Sequence, residues 1–119
     1  MTIFLGSMLF ASCWEKDDAV DVSPDQLWGL WRKDNSREYW RYNDDNTGVT
    51  WDLDDDVSEE ESNLRYEWSV EQGVITHVFR GNQGNQQVPK TFTIIAMSDS
   101  QMKWRDVYGF TTTLNRIVE

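Results

Sequence analysis

From Leu30 to Arg116 the apolar side chains recur at every second position in short runs, and each run stops at residues that turn the chain. A period of two is the mark of strands with one face buried, and it excludes long amphipathic helices over this stretch. The pattern places strands near residues 30–33, 38–43, 49–53, 64–70, 74–79, 91–97, 102–107 and 110–116. Between them, Asp44-Asp45-Asn46-Thr47-Gly48, Gln72-Gly73 and Gly109 supply residues that tolerate positive φ, and Ser98-Asp99-Ser100 is a polar turn. Eight short strands at regular spacing predict an all-β fold. Connections of hairpin length favour an eight-stranded antiparallel up-and-down barrel over Greek keys.

The same alternation sorts side chains onto faces. Trp40 and Tyr42 share one side of the second strand, and Val49, Trp51 and Leu53 share one side of the third. Leu64, Tyr66, Trp68 and Val70 line one face of the fourth, with Phe92 and Ile94, then Met102 and Trp104, continuing the series. In the fifth strand Ile75, His77 and Phe79 compete with Val74, Thr76 and Val78 for the inner face. The apolar side changes near Ile95-Ala96, which predicts a bulge there. Two segments lack any core pattern: residues 54–61 hold six acids in eight positions, and residues 81–87 are Gly, Asn and Gln only.

Ahead of the strands, Ser23-Pro24-Asp25-Gln26 is a capping-box start with Pro at the first helical position, enough for a short helix of a turn or two. Further upstream an apolar run, residues 3–10, leads through Phe10-Ala11-Ser12 to Cys13, and the composition then turns acidic and polar. The run is too short to span a bilayer, which takes ~20 residues, but has the length of a signal peptide's apolar core. Small residues before the only cysteine resemble the lipobox of a bacterial lipoprotein signal. That resemblance implies cleavage of residues 1–12, lipidation of Cys13, and an outer-membrane lipoprotein. Lys16-Asp17-Asp18 resembles the lysine-plus-acids signal for display at the cell surface. Residues 13–22 then read as a flexible tether and residues 23–119 as one domain.

The formal charge of −10 has the wrong sign for nucleic-acid phosphates. It would also be repelled by an anionic bilayer, so the lipid at Cys13 is the expected membrane contact. A single cysteine allows no internal disulfide. A monomer is expected.

Leu27-Trp28-Gly29-Leu30-Trp31, with its Gly-x-Trp on the first strand, resembles the lipocalin-like domain of small bacterial surface lipoproteins. The preceding short helix, the Asp-Asn-x-Gly hairpin after Trp40-Arg41-Tyr42, and a last strand ending Leu114-Asn115-Arg116 carry the likeness too. The resemblance covers about residues 23–119. It implies a closed meander with a helix at one end, and an Arg of the last strand, here Arg116, packed on the first-strand Trp, here Trp31, as a structural cation–π contact.

The candidate ligand-binding residues are the rings assigned to the inner wall. Trp40, Tyr42, Trp51 and Tyr66 are four of them; Trp68, Phe92 and Trp104 are the others, with Trp31 near one end. Each ring buries ~150–250 Å², and an eight-stranded barrel holds only its own side chains or one small ligand. Rings in this number would use most of that space, which favours a filled or nearly filled barrel over one with a functional cavity, and a void of about 300 Å³ or more separates a ligand pocket from a filled core. His77, the only histidine, could offer a ligand a hydrogen bond, but alone it makes no zinc site. Asp52, Asp54 and Asp56 alternate as in calcium loops, yet Val57 stands where a glycine is needed and Asn63 where a bidentate Glu is needed. A solvated loop with the capping box Ser58-Glu59-Glu60-Glu61 is the expectation, with no metal and no cofactor. No nucleophile–base set can be assembled, so no enzyme is expected. The leading expectation is a lipid-anchored extracytoplasmic protein binding a small hydrophobic or aromatic molecule. The alternative is a glycan- or protein-binding module with a filled core, acting through Trp28, Tyr39, Tyr108 and residues 81–87.

Overall fold

The computed structural model describes residues 19–80 and 88–119. Cys13, the start of the tether and the loop 81–87 lie outside the described residues. The rest is a closed antiparallel barrel of eight strands in sequence order. They are β1 (Gly29–Lys33), β2 (Glu38–Tyr42), β3 (Thr47–Asp52), β4 (Arg65–Glu71), β5 (Val74–Phe79), β6 (Pro89–Met97), β7 (Gln101–Arg105) and β8 (Thr111–Ile117). β1 pairs with β8 through Trp31↔Arg116 and Lys33↔Leu114, which closes the cylinder and leaves no free sheet edge. The turn residues act as their chemistry requires: Asn46, Gln72, Gly73 and Gly109 all have positive φ. The register between β6 and β7 slips between Ile94 and Ala96, the bulge that the change of apolar side predicts.

The two ends of the barrel differ. At one end lie the β2–β3, β4–β5 and β6–β7 turns and the segment entering β1. The expected helix is a single 3-10 turn, Pro24–Gln26, in which Gln26 Oε1 accepts from the Ser23 N–H at 2.9 Å. The tether also ends sooner than its polar composition suggests. Val20 N–H donates to Ile94 O at 2.8 Å, and Val22 and Leu27 join the core, because two valines and a leucine are apolar enough to plug this end. Arg116 fastens the plug. Its guanidinium lies 4.2 Å from the Trp31 ring centre and donates to Gln26 O and Trp28 O at 2.7 Å and to Asp99 O at 2.6 Å. Trp31 Nε1 donates to Leu27 O at 2.9 Å. Replacing Arg116 by Met should cost about 2 kcal/mol in urea denaturation, since three carbonyls lose a charged donor. Arg116→Lys should recover only part, because an ammonium cannot span all three acceptors. A loss under about 0.5 kcal/mol for the Met variant would show that the clasp adds nothing.

The other end is the mouth, where the β1–β2, β3–β4 and β7–β8 connections lie and where β5 ends and β6 begins. Here β3 and β4 pair only through Thr47↔Glu67, Gly48↔Tyr66 and Val49↔Arg65, with Thr50 N–H still reaching Leu64 O at 3.0 Å. Beyond that the two strands part. The segment between them folds back over the outer wall. Its Leu53 and Val57 cover Leu30, Val49 and Trp51 in a second, outer core, and its Glu59 is held by Arg41 at 2.7 Å.

Candidate functional site

Register fixes what faces inward. Trp40 is opposite Thr50, and Tyr42 is opposite Gly48, so β3 presents only small side chains to the interior. Trp51 is opposite Tyr39 and stacks on it, with ring centres 5.3 Å apart, on the outer wall. The expectation that Trp51 is an inner-wall ring is therefore corrected. Both faces of β3 are buried, one by the barrel and one by the folded-back segment, so alternation alone gives no sign of which is inner. The fifth strand resolves the other way: Trp68↔His77 and Ile75↔Phe92 put Ile75, His77 and Phe79 inside.

Below the mouth the interior is filled by side chains. Tyr42, Tyr66, Trp68 and Trp104 pack there with Ile75, Ile94 and Leu114. His77 sits among them, fully buried. Its Nε2 shares a hydrogen bond with the Tyr42 hydroxyl at 2.7 Å, the roles depending on the tautomer. Nδ1 has no hydrogen-bond partner, and the backbone of Lys90, its cross-strand neighbour, offsets only part of the effect of burial. Burial lowers the His77 pKa to about 3, so the ring is neutral. Burial likewise pushes the Tyr42 and Tyr66 hydroxyls well above the ordinary phenol range. The inner polar groups are thus uncharged scaffolding, not ligand-facing acids or bases.

Above this floor a cavity of about 620 Å³ opens at the mouth. Trp40, Phe79 and Phe92 form its base, and all three rings contact the His77 ring below, at centroid distances of 5.1, 6.2 and 5.3 Å. Thr50, Leu64, Val88 and the edge of Trp51 make its walls. Leu64 and Val88 are 55% and 60% exposed at the rim. Glu38, Asp52, Asp55 and Lys90 complete the lining. Glu38 is fixed by Trp40, whose Nε1 donates to Glu38 Oε2 at 2.8 Å.

Of the candidate ligand residues, Trp40, Trp51 and Phe92 line this cavity, Trp51 from the outer side. Tyr42, Tyr66, Trp68, His77 and Trp104 are beneath it. Hydrophobic alternation passes over Glu38, Asp52 and Lys90. All three stand at inward positions by register (Glu38↔Asp52 and His77↔Lys90), and that placement could have been found by extending the alternation one step past each apolar run.

The acidic segment has structural duties. Asp52 accepts from the Asp54 N–H at 2.9 Å, Asp54 pairs with Arg37 at 2.8 Å, and Asp56 is the left-handed cap of the 3-10 turn Leu53–Asp55. Glu61 Oε1 accepts from the Ser58 N–H at 3.0 Å, closing the expected capping box. Among the described residues no group of three or more His, Cys, Asp or Glu is arranged to hold a metal ion. On the outside, Trp28 and Tyr108 are exposed, whereas Tyr39 is half-buried in its stack.

No protein-family model matches the chain, and no curated protein matches it. The fold itself, an all-β closed barrel of eight antiparallel strands, is plain from the pairing.

Proposed function

We propose that this chain is a lipid-anchored, extracytoplasmic lipocalin-like protein that holds a small hydrophobic or aromatic molecule at the mouth of its barrel. One observation carries the reading: a cavity of about 620 Å³ with a floor of Trp40, Phe79 and Phe92. Ligand pockets fall in the range of about 300–1,000 Å³ and are mostly apolar with a few polar groups, which describes this one. The lipid anchor at Cys13 is part of this proposal on the strength of the lipobox resemblance alone. Binding, not catalysis, is proposed, because His77, Tyr42 and Tyr66, the buried titratable groups, lie below the floor and outside the cavity lining.

Trp40 at the floor makes the test direct. Titrating the chain with small apolar aromatic compounds should shift or quench tryptophan fluorescence with saturation, and Trp40→Phe should remove most of the change. No saturable response from any compound would overturn the reading.

The surface-acting alternative has one observation in its favour. The β7–β8 tip exposes Val107, Tyr108 and Phe110, each more than 70%. Single exposed apolar residues are ordinary, but three together on one tip are not. Under that reading the titration stays silent, and retention on a glycan or protein column depends on Tyr108 and Trp28.

A further inference from the structure

We propose that the ligand at this mouth is a cation, a small molecule with an apolar or aromatic body and a protonated amine or quaternary ammonium. The proposal rests on the binding reading above and adds the sign of the ligand's charge. The cavity makes the site, and its charged lining sets the preference. Three carboxylates, Glu38, Asp52 and Asp55, face one ammonium, Lys90. Among the ion pairs of the described residues are Arg37–Asp54, Arg41–Glu59, Arg41–Glu119 and Arg80–Glu67. None of them uses a charge that lines the cavity. Asp54 and Glu59, on the segment beside the cavity, are each paired with an arginine, while the lining itself holds an excess of negative charge. The net charge of −10 adds a field of the same sign.

The arrangement also puts the charge where an amine would need it. Trp40 is at once part of the floor and the hydrogen-bond donor that holds the Glu38 carboxylate at 2.8 Å. A ligand whose body lies on Trp40 and Phe92 has its polar end beside Glu38. Ring faces are themselves attractive to cations, so the floor and the rim favour the same sign. A fatty or aromatic carboxylate would meet the opposite: three like charges, with Lys90 alone to receive it.

The experiment compares three probes with one body, phenylbutylamine, phenylbutanol and phenylbutyrate, by calorimetry on the full chain at low and at high salt. The amine should bind on the order of tenfold more tightly than the alcohol at low salt, and the carboxylate more weakly than the alcohol. The gap should narrow as salt screens the rim. Asp55→Asn removes an exposed charge of the lining, so it should cut the amine's advantage over the alcohol by about twofold to threefold at low salt. Lys90→Met should strengthen amine binding. Equal affinities, or a preference for the carboxylate, would overturn the charge proposal while the pocket stands. If none of the three binds, the pocket reading fails and this proposal falls with it.

Discussion

Lowering the pH from 7 to 4.5 should remove about 2.5 kcal/mol of folding stability through His77 alone. The native ring is neutral because burial holds its pKa near 3. In the unfolded chain the same ring titrates near 6.5. Below that value the unfolded state binds a proton that the native state refuses, so stability falls as pH falls. It is fully present above the unfolded pKa and is lost toward the folded one, at about 1.4 kcal/mol per pH unit between them. Carboxylates with lowered values, such as Asp45, Asp54, Glu61 and Glu119, act in the same direction but only where carboxylates titrate. The glutamates already titrate at the lower end, so the upper part of the range, from pH 6.5 to 5.5, isolates the histidine. Urea denaturation across that window should show the slope, and His77→Gln should flatten it whatever it costs in absolute stability. A wild-type slope no steeper than the variant's would mean that the interior admits the imidazolium.

Gly48→Ala should be the most damaging methyl group that can be added to the barrel, costing about 3 kcal/mol or more. An added Cβ there runs into the Arg41 carbonyl oxygen and the ring of Tyr66. Neither can yield. The carbonyl belongs to β2, and the Tyr66 hydroxyl is tied to that same oxygen at 2.7 Å while its ring is wedged against His77 and Phe79 at centroid distances of 4.8 and 5.3 Å. The measurement is the urea midpoint, or loss of near-ultraviolet ellipticity if the variant does not fold. Gly109→Ala is the control. Gly109 has a φ of +92° but nothing within 4 Å of an added Cβ, so its cost should be about 1 kcal/mol from backbone strain alone. Comparable losses at both positions would show that Tyr66 moves aside.

The strand pattern was most legible in β4 and β7, which alternate buried and exposed residues, and alternation is a statement about that contrast. Leu64, Tyr66, Trp68 and Val70 are all inward, as their spacing against Arg65, Glu67 and Ser69 requires. β3 broke the rule, since residues 48–51 are all buried and the outer cover comes from a segment too acidic to look like one. His77 was ambiguous for a different reason. Val74 and Val78 make the outer face of β5 nearly as apolar as the inner, and only the pairing with Trp68 decides. The charged half of the site lay beyond reach of a hydrophobic reading altogether. Glu38, Asp52 and Lys90 occupy inward positions at strand ends, where the barrel meets water and polarity carries no penalty.

The early parting of β3 and β4 has a mechanical consequence. Their ladder stops at Val49 and Thr50, whereas β4 and β5 remain joined from Tyr66 to Glu71. Amides along this brief seam should exchange with deuterium sooner than those of any other pair of strands, since local opening starts where fewest bonds resist it. The cylinder is in effect a ring with a slit cut partway down one side. A bulky guest would widen its bore by flexing at that slit, without stretching the remaining staves.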